Sequence, residues 1–209
     1  MKKTILTIMG FVAVVLCLTT LSQALDRSFT VSANIPQATG VAITASSVNP
    51  SNNHFTVISG NTLSFNPITF NTANGIFLPD HFFAIDVGSV GGAGIPDVTV
   101  TYTEGANPNS PSHGLGWKST ATFMKVTGAT GSQTETAMTS HGPKKMLKAI
   151  SGESIGHAEI SGGFLRVYVG IVTKDNTAVI PDPVDSEPFI VSDKPGLYDG
   201  TLLVSATIP

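Results

Sequence analysis

The sequence predicts an all-β protein, and three observations carry that prediction. Charged residues make up only 12% of the 209, too few to supply the polar faces that amphipathic helices need. Thr, Val and Ile abound instead, the β-branched types that fit a pleated surface. Short alternating segments recur along the whole length, broken by clusters drawn from 21 Gly, 13 Pro and many Asn and Ser. That spacing belongs to an antiparallel sandwich or barrel.

The first residues read as a secretory signal peptide. Lys2 and Lys3 form a positive start, an apolar run follows from Ile5 to about Leu21, and Ser22-Gln23-Ala24 places small residues where a signal peptidase reads them. The alternative is a membrane anchor, since the run approaches the ~20 residues that span a bilayer. The small-x-small ending and the immediate turn to polar, strand-forming sequence favour cleavage after Ala24. Cys17 does not suit a lipidated cysteine, because Leu16 precedes it and more apolar residues follow. The chain thus divides into a signal peptide (1–24), an N-terminal strand segment (25–37) and a β domain (38–209).

Cleavage removes the only cysteine, so the mature chain has no disulfide, thiol nucleophile or thiolate metal site. It also takes Lys2 and Lys3 away, which moves the formal charge from −3 to −5. No basic run survives, which argues against nucleic acid and anionic membrane surfaces as partners.

Several strands are legible in order. Gly40 to Thr44 alternates, as does His54 to Val57. Leu63 and Phe65 point one way, Asn66-Pro67 interrupts, and Ile68 and Phe70 resume on the other parity. Proline cannot sit in a central ladder, so a bulge or a switch of sheet is expected there. Phe82 to Val87 reads as a more buried strand, ended by the glycine-rich stretch Gly88 to Gly94. Val98 to Tyr102 and Phe164 to Val169 are further strands. Glu104 to Ser112 and Thr127 to Thr139 are polar and read as surface loops. Met146 to Ile150 fits a short helix or a strand equally.

The most regular alternation lies near the N-terminus. Phe29, Val31, Ala33 and Ile35 share one face, Ser28, Thr30, Ser32 and Asn34 the other, and Pro36 stops the run. A strand with one apolar face must bury it. From periodicity alone it covers its own domain as a first strand. The C-terminal segment alternates too, with Tyr198, Gly200, Leu202, Val204, Ala206 and Ile208 on the inward face before Pro209. A sandwich whose last strand is supplied from elsewhere would keep an apolar groove and an unpaired edge.

No catalytic motif is present: no nucleophile elbow, zinc-binding His-Glu-x-x-His, P-loop or dinucleotide fingerprint. His157 and Glu159 fall on one side if their segment is a strand, where they read as solvent-facing polar residues before they read as an acid–base or metal pair. His54, His81, His113 and His141 lack ligand spacing. Trp117, between Gly116 and Lys118, reads as packing before it reads as a platform for a sugar ring. No cofactor is expected. Two functional alternatives stay open: a stand-alone exported β-sandwich module that binds carbohydrate, and a secreted hydrolase with a dispersed site.

Three segments together carry a family resemblance. Ser28-Phe29-Thr30-Val31-Ser32-Ala33-Asn34-Ile35-Pro36 resembles the N-terminal donor segment of the alternate chaperone-usher pilins, the major subunits of colonisation-factor-type fimbriae. Leu63-Ser64-Phe65-Asn66-Pro67 resembles an apolar-x-aromatic-x-Pro patch of that family, and Pro195 to Val204 its C-terminal Gly-x-Tyr-x-Gly strand. The chain departs from the family in extra sequence between about Gly88 and Lys145, so shaft and minor subunit are both open. The resemblance implies an incomplete immunoglobulin-like sandwich completed by a neighbour's donor strand, with Phe29, Val31, Ala33 and Ile35 entering the groove beside the Tyr198 to Ile208 strand. It implies other pilin subunits, a periplasmic chaperone, an outer-membrane usher and a tip adhesin as partners. A host receptor and a place on the cell surface, reached through the periplasm, complete that expectation.

Overall fold

The computed structural model describes residues 28–34, 40–91, 93–128, 130, 137–174 and 180–209; the expected signal peptide and Ile35 lie outside them. Among the described residues the only helical pieces are α1 (Leu115–Lys118) and a 3-10 turn (Leu147–Ala149). All other regular structure among the described residues is strand, in keeping with the β-branched composition and the scarcity of charge.

The described strands form three sheets. The first runs β12 (Glu153–Ile155), β8 (Asp97–Glu104), β15 (Leu197–Thr207), β1 (Ser28–Asn34), β4 (Thr62–Ser64). The second runs β10 (Ala137–Ser140), β9 (Ser119–Thr127), β13 (Phe164–Ile171), β7 (Phe82–Ser89), β2 (Val41–Asn49), β3 (His54–Val57), with β11 (Lys145–Met146) also on β9. A small third sheet joins β14 (Phe189–Ile190), β6 (Ile76–Pro79) and β5 (Ile68–Asn71). The two larger sheets enclose one core. Val98, Val100, Leu202 and Val204 from the first meet Phe83, Ile85, Phe123 and Val167 from the second.

Alternation sets which side chains reach that core. On β13, Leu165, Val167 and Val169 join it, while Arg166 lies on the opposite face. There it makes a two-point ion pair with Asp86, Nε to Oδ1 at 2.6 Å and Nη2 to Oδ2 at 2.8 Å. Both residues are buried, and the Phe55 ring centroid lies 4.7 Å from the guanidinium carbon. A doubly donated, aromatic-covered guanidinium satisfies the charges that burial strips of water.

Pro67 marks a change of sheet: β4 belongs to the first sheet and β5 to the third, across a cis Asn66–Pro67 peptide. Elsewhere the structure corrects the sequence reading. Gly88 and Ser89 continue β7, and the end of the expected 127–139 loop is β10, paired with β9. The 146–150 segment uses both conformations, a strand pair at Lys145–Met146 and then the 3-10 turn. β9 shows no alternation because nearly all of it is buried on both faces.

Candidate functional site

The first strand occupies a slot between β15 and β4. It runs parallel to β15, with Phe29 opposite Tyr198, Val31 opposite Gly200 and Ala33 opposite Leu202. It runs antiparallel to β4, with Val31 opposite Leu63. Beyond the ladder, Phe65 N–H donates to the Phe29 carbonyl at 3.0 Å and Ala33 N–H to the Asn61 carbonyl at 2.8 Å. Phe29 and Val31 are fully buried and Ala33 nearly so. Full burial of the two larger side chains contributes about 1.5–3 kcal/mol each.

Aromatic packing anchors one end of the slot. The Phe29 ring centroid lies 3.8 Å from that of Phe189 and 5.4 Å from that of Tyr198, and these two lie 5.0 Å apart. The Tyr198 hydroxyl donates to the Lys194 carbonyl and accepts from Asn109 Nδ2, each at 2.8 Å. A phenol buried this way keeps a partner for its one polar atom.

The middle of the slot depends on a missing side chain. A Cβ on Gly200 would lie 2.2 Å from the Tyr102 hydroxyl oxygen, so only glycine lets the Tyr102 ring cross beneath Val31's partner strand. That hydroxyl donates to Glu104 Oε1 at 3.2 Å, and Glu104 Oε2 accepts Gly116 N–H at 3.0 Å. Burial pushes the Tyr102 phenol far above its ordinary range, with the Glu104 charge adding to it. Burial likewise raises the Glu104 carboxyl, against the opposing pull of the Gly116 and Tyr102 hydrogen bonds.

The structure thus brings Phe29, Val31 and Ala33 together with Tyr198, Gly200 and Leu202. Val204 and Ala206 lie further along β15, past the end of β1, where β15 pairs only with β8 among the described strands, and Ile208 follows the end of β15. Phe189 and Asn109 complete the slot, and sequence reasoning missed both. Asn109 sits in a loop rich in proline, asparagine and serine, and Phe189 on the two-residue β14; both are far from β1 in the chain, so no local pattern marks them.

The other candidates disperse. His157 and Glu159 lie in a turn, not on a strand. His157 pairs with Asp97 (Nδ1 to Oδ1, 2.8 Å), whereas Glu159 pairs with His141 (Oε2 to Nδ1, 3.0 Å). The turn forms because Gly156 N–H donates to Glu159 Oε1, a local bond that competes with any ladder. Trp117 is half-buried on α1, with the Lys148 ammonium against its ring. Among the described residues, no three His, Cys, Asp or Glu side chains converge as metal ligands. No family model, curated protein or solved structure matches this chain.

Proposed function

We propose that the chain is an exported fimbrial subunit that polymerises by donor-strand exchange, the 28–35 segment of one copy completing the sheet of the next. The domain is then an incomplete immunoglobulin-like sandwich. The fibre serves adhesion, and a chaperone and an usher handle the subunit on its way to the surface. The reading rests on the resemblance of the three segments, and one observation supports it above others. The strand that fills the slot precedes every other described strand, and it is spliced between β15 and β4 by main-chain bonds and a row of apolar side chains. Such a segment is chemically suited to strand addition, where the ladder supplies affinity and alternate side chains supply register. Without it, β15 and β4 would each present an open edge over an apolar cleft.

One observation favours a second reading. The strand lies in its own chain, as it would in a stand-alone exported module such as a carbohydrate-binding sandwich. A single experiment separates the two. Protein lacking residues 25–36 is titrated with a synthetic peptide of that segment, and the intact protein is followed by light scattering. Donor-strand exchange requires saturable binding of the peptide, loss of that binding on Phe29→Ala in the peptide, and slow growth of polymers by the intact chain. An intact chain that stays monomeric, with Phe29 to Ala33 amides as protected as those of β13, sinks the proposal and leaves the module.

A further inference from the structure

We propose that Lys118 and Asp193 form an intramolecular isopeptide bond, a covalent modification site that staples the two large sheets together. The inference stands apart from the fimbrial reading, because it rests on a buried amine that the slot does not use. Lys118 ends α1 just before β9 in the second sheet, and Asp193 lies between β14 of the third sheet and β15 of the first. Lys118 is 1% exposed and Asp193 9%, and Nζ lies 3.0 Å from Oδ2.

Three features turn this contact from a salt bridge into a reactive pair. First, the electrophile is held still: Ile190 N–H donates to Oδ2 at 2.8 Å and Asn109 Nδ2 to Oδ1 at 3.1 Å. These donors also stabilise the negative oxygen of a tetrahedral intermediate. Second, a further carboxylate stands beside the amine, Glu187 Oε2 at 3.9 Å from Nζ. That oxygen also pairs with His113 Nδ1 at 2.7 Å, and a shift of about 1 Å brings it within hydrogen-bond reach of the ammonium, to take its proton. Third, the Phe189 ring, 5.2 Å from Nζ, walls the pair off. Two buried charges have lost their hydration, and condensation replaces them with one neutral amide. Fixed proximity supplies the rate.

The step balances without a co-reactant. Lys118 passes a proton through Glu187, and its free amine attacks Asp193 Cγ. The new bond is Nζ–Cγ. The Cγ–Oδ2 bond breaks, Oδ1 stays as the amide oxygen, and Oδ2 leaves as water carrying the two protons lost by nitrogen. The other buried ion pair cannot follow this course, because the guanidinium of Arg166 keeps its proton. Lys144 contacts Asp182 at the same 3.0 Å, but its side chain is 20% exposed.

Peptide mapping of the purified full-length protein tests the proposal. The expected result is a tryptic species joining the Lys118 and Asp193 peptides, lighter than their sum by one water and absent from Lys118→Ala and Asp193→Ala. Glu187→Gln is expected to slow its appearance at least tenfold after refolding from a denatured, uncross-linked sample made by that variant. Separate, unmodified Lys118 and Asp193 peptides from folded wild-type protein overturn the proposal, as does a water loss mapped elsewhere. The wild-type map decides the matter even if the alanine variants fail to fold.

Discussion

The two large sheets bury their inner faces in the same core, yet they are locked by different means. The second is a run of antiparallel ladders, β13 paired along its length with both β9 and β7. Its outer face carries the Arg166–Asp86 pair, which ties neighbouring strands through side chains as well as backbone. The first sheet has a parallel insert next to its edge strand, held on one side by seven paired residues of β15 and on the other by only three of β4. Redundant locking makes one sheet a rigid wall. The other holds β1 by a short stretch of ladder and a few apolar side chains. Elements that must move are drawn from the less redundantly held regions of a fold.

The largest effect that would test this contrast is on the second sheet. Asp86→Ala leaves a buried, unpaired guanidinium and is expected to cost about 3–5 kcal/mol, read as a lower denaturant midpoint. The double change Asp86→Leu with Arg166→Met is expected to recover most of it, because the cost lies in the orphaned charge. A single variant as stable as wild type would break the claim that this pair locks the sheet.

On the first sheet the expected effect is smaller and local. Gly200→Ala drives a methyl into the Tyr102 hydroxyl and is expected to cost about 1–3 kcal/mol as overpacking. Hydrogen exchange is the sharper readout: Phe29 to Ala33 amides should exchange faster while β13 amides do not. Equal acceleration in both sheets would mean that the insert opens only with the whole domain.

The smallest effect concerns the edge of the first sheet, where His157 N–H and Nδ1 both engage Asp97 Oδ1, at 2.7 and 2.8 Å. The backbone N–H of His157, then its side chain, holds the Asp97 carboxyl below the ordinary carboxylate range. A depressed folded pKa contributes stability that is present above the unfolded value and lost as pH falls through the folded one. Asp97→Asn is therefore expected to lower the melting temperature slightly at neutral pH, leave it nearly unchanged at the acid end, and so flatten the acid limb of the profile. An unaltered acid limb would show that this clip does not couple to folding.

Much of this was legible before any fold was known. The inward faces of β1 and β15 follow directly from the alternation of Phe29, Val31 and Ala33 and of Tyr198, Gly200 and Leu202, since a strand sends every second side chain the same way. The break at Pro67 was legible because proline removes a ladder donor. β9 was not, because burial on both faces erases the period. The His157 turn was also hidden: three residues that alternate in type carry no mark of whether a local hydrogen bond will curl them.

The sequence by itself determined the fold class and which side chains on the terminal strands face inward, because composition and two-residue periodicity act within a few residues of each position. Only the tertiary structure decided that β1 lies parallel to β15, that Gly200 must yield to Tyr102, and that Lys118 meets Asp193. Those outcomes depend on which distant segments close on one another. Chain entropy and the competition for a shared core settle that choice over the whole domain.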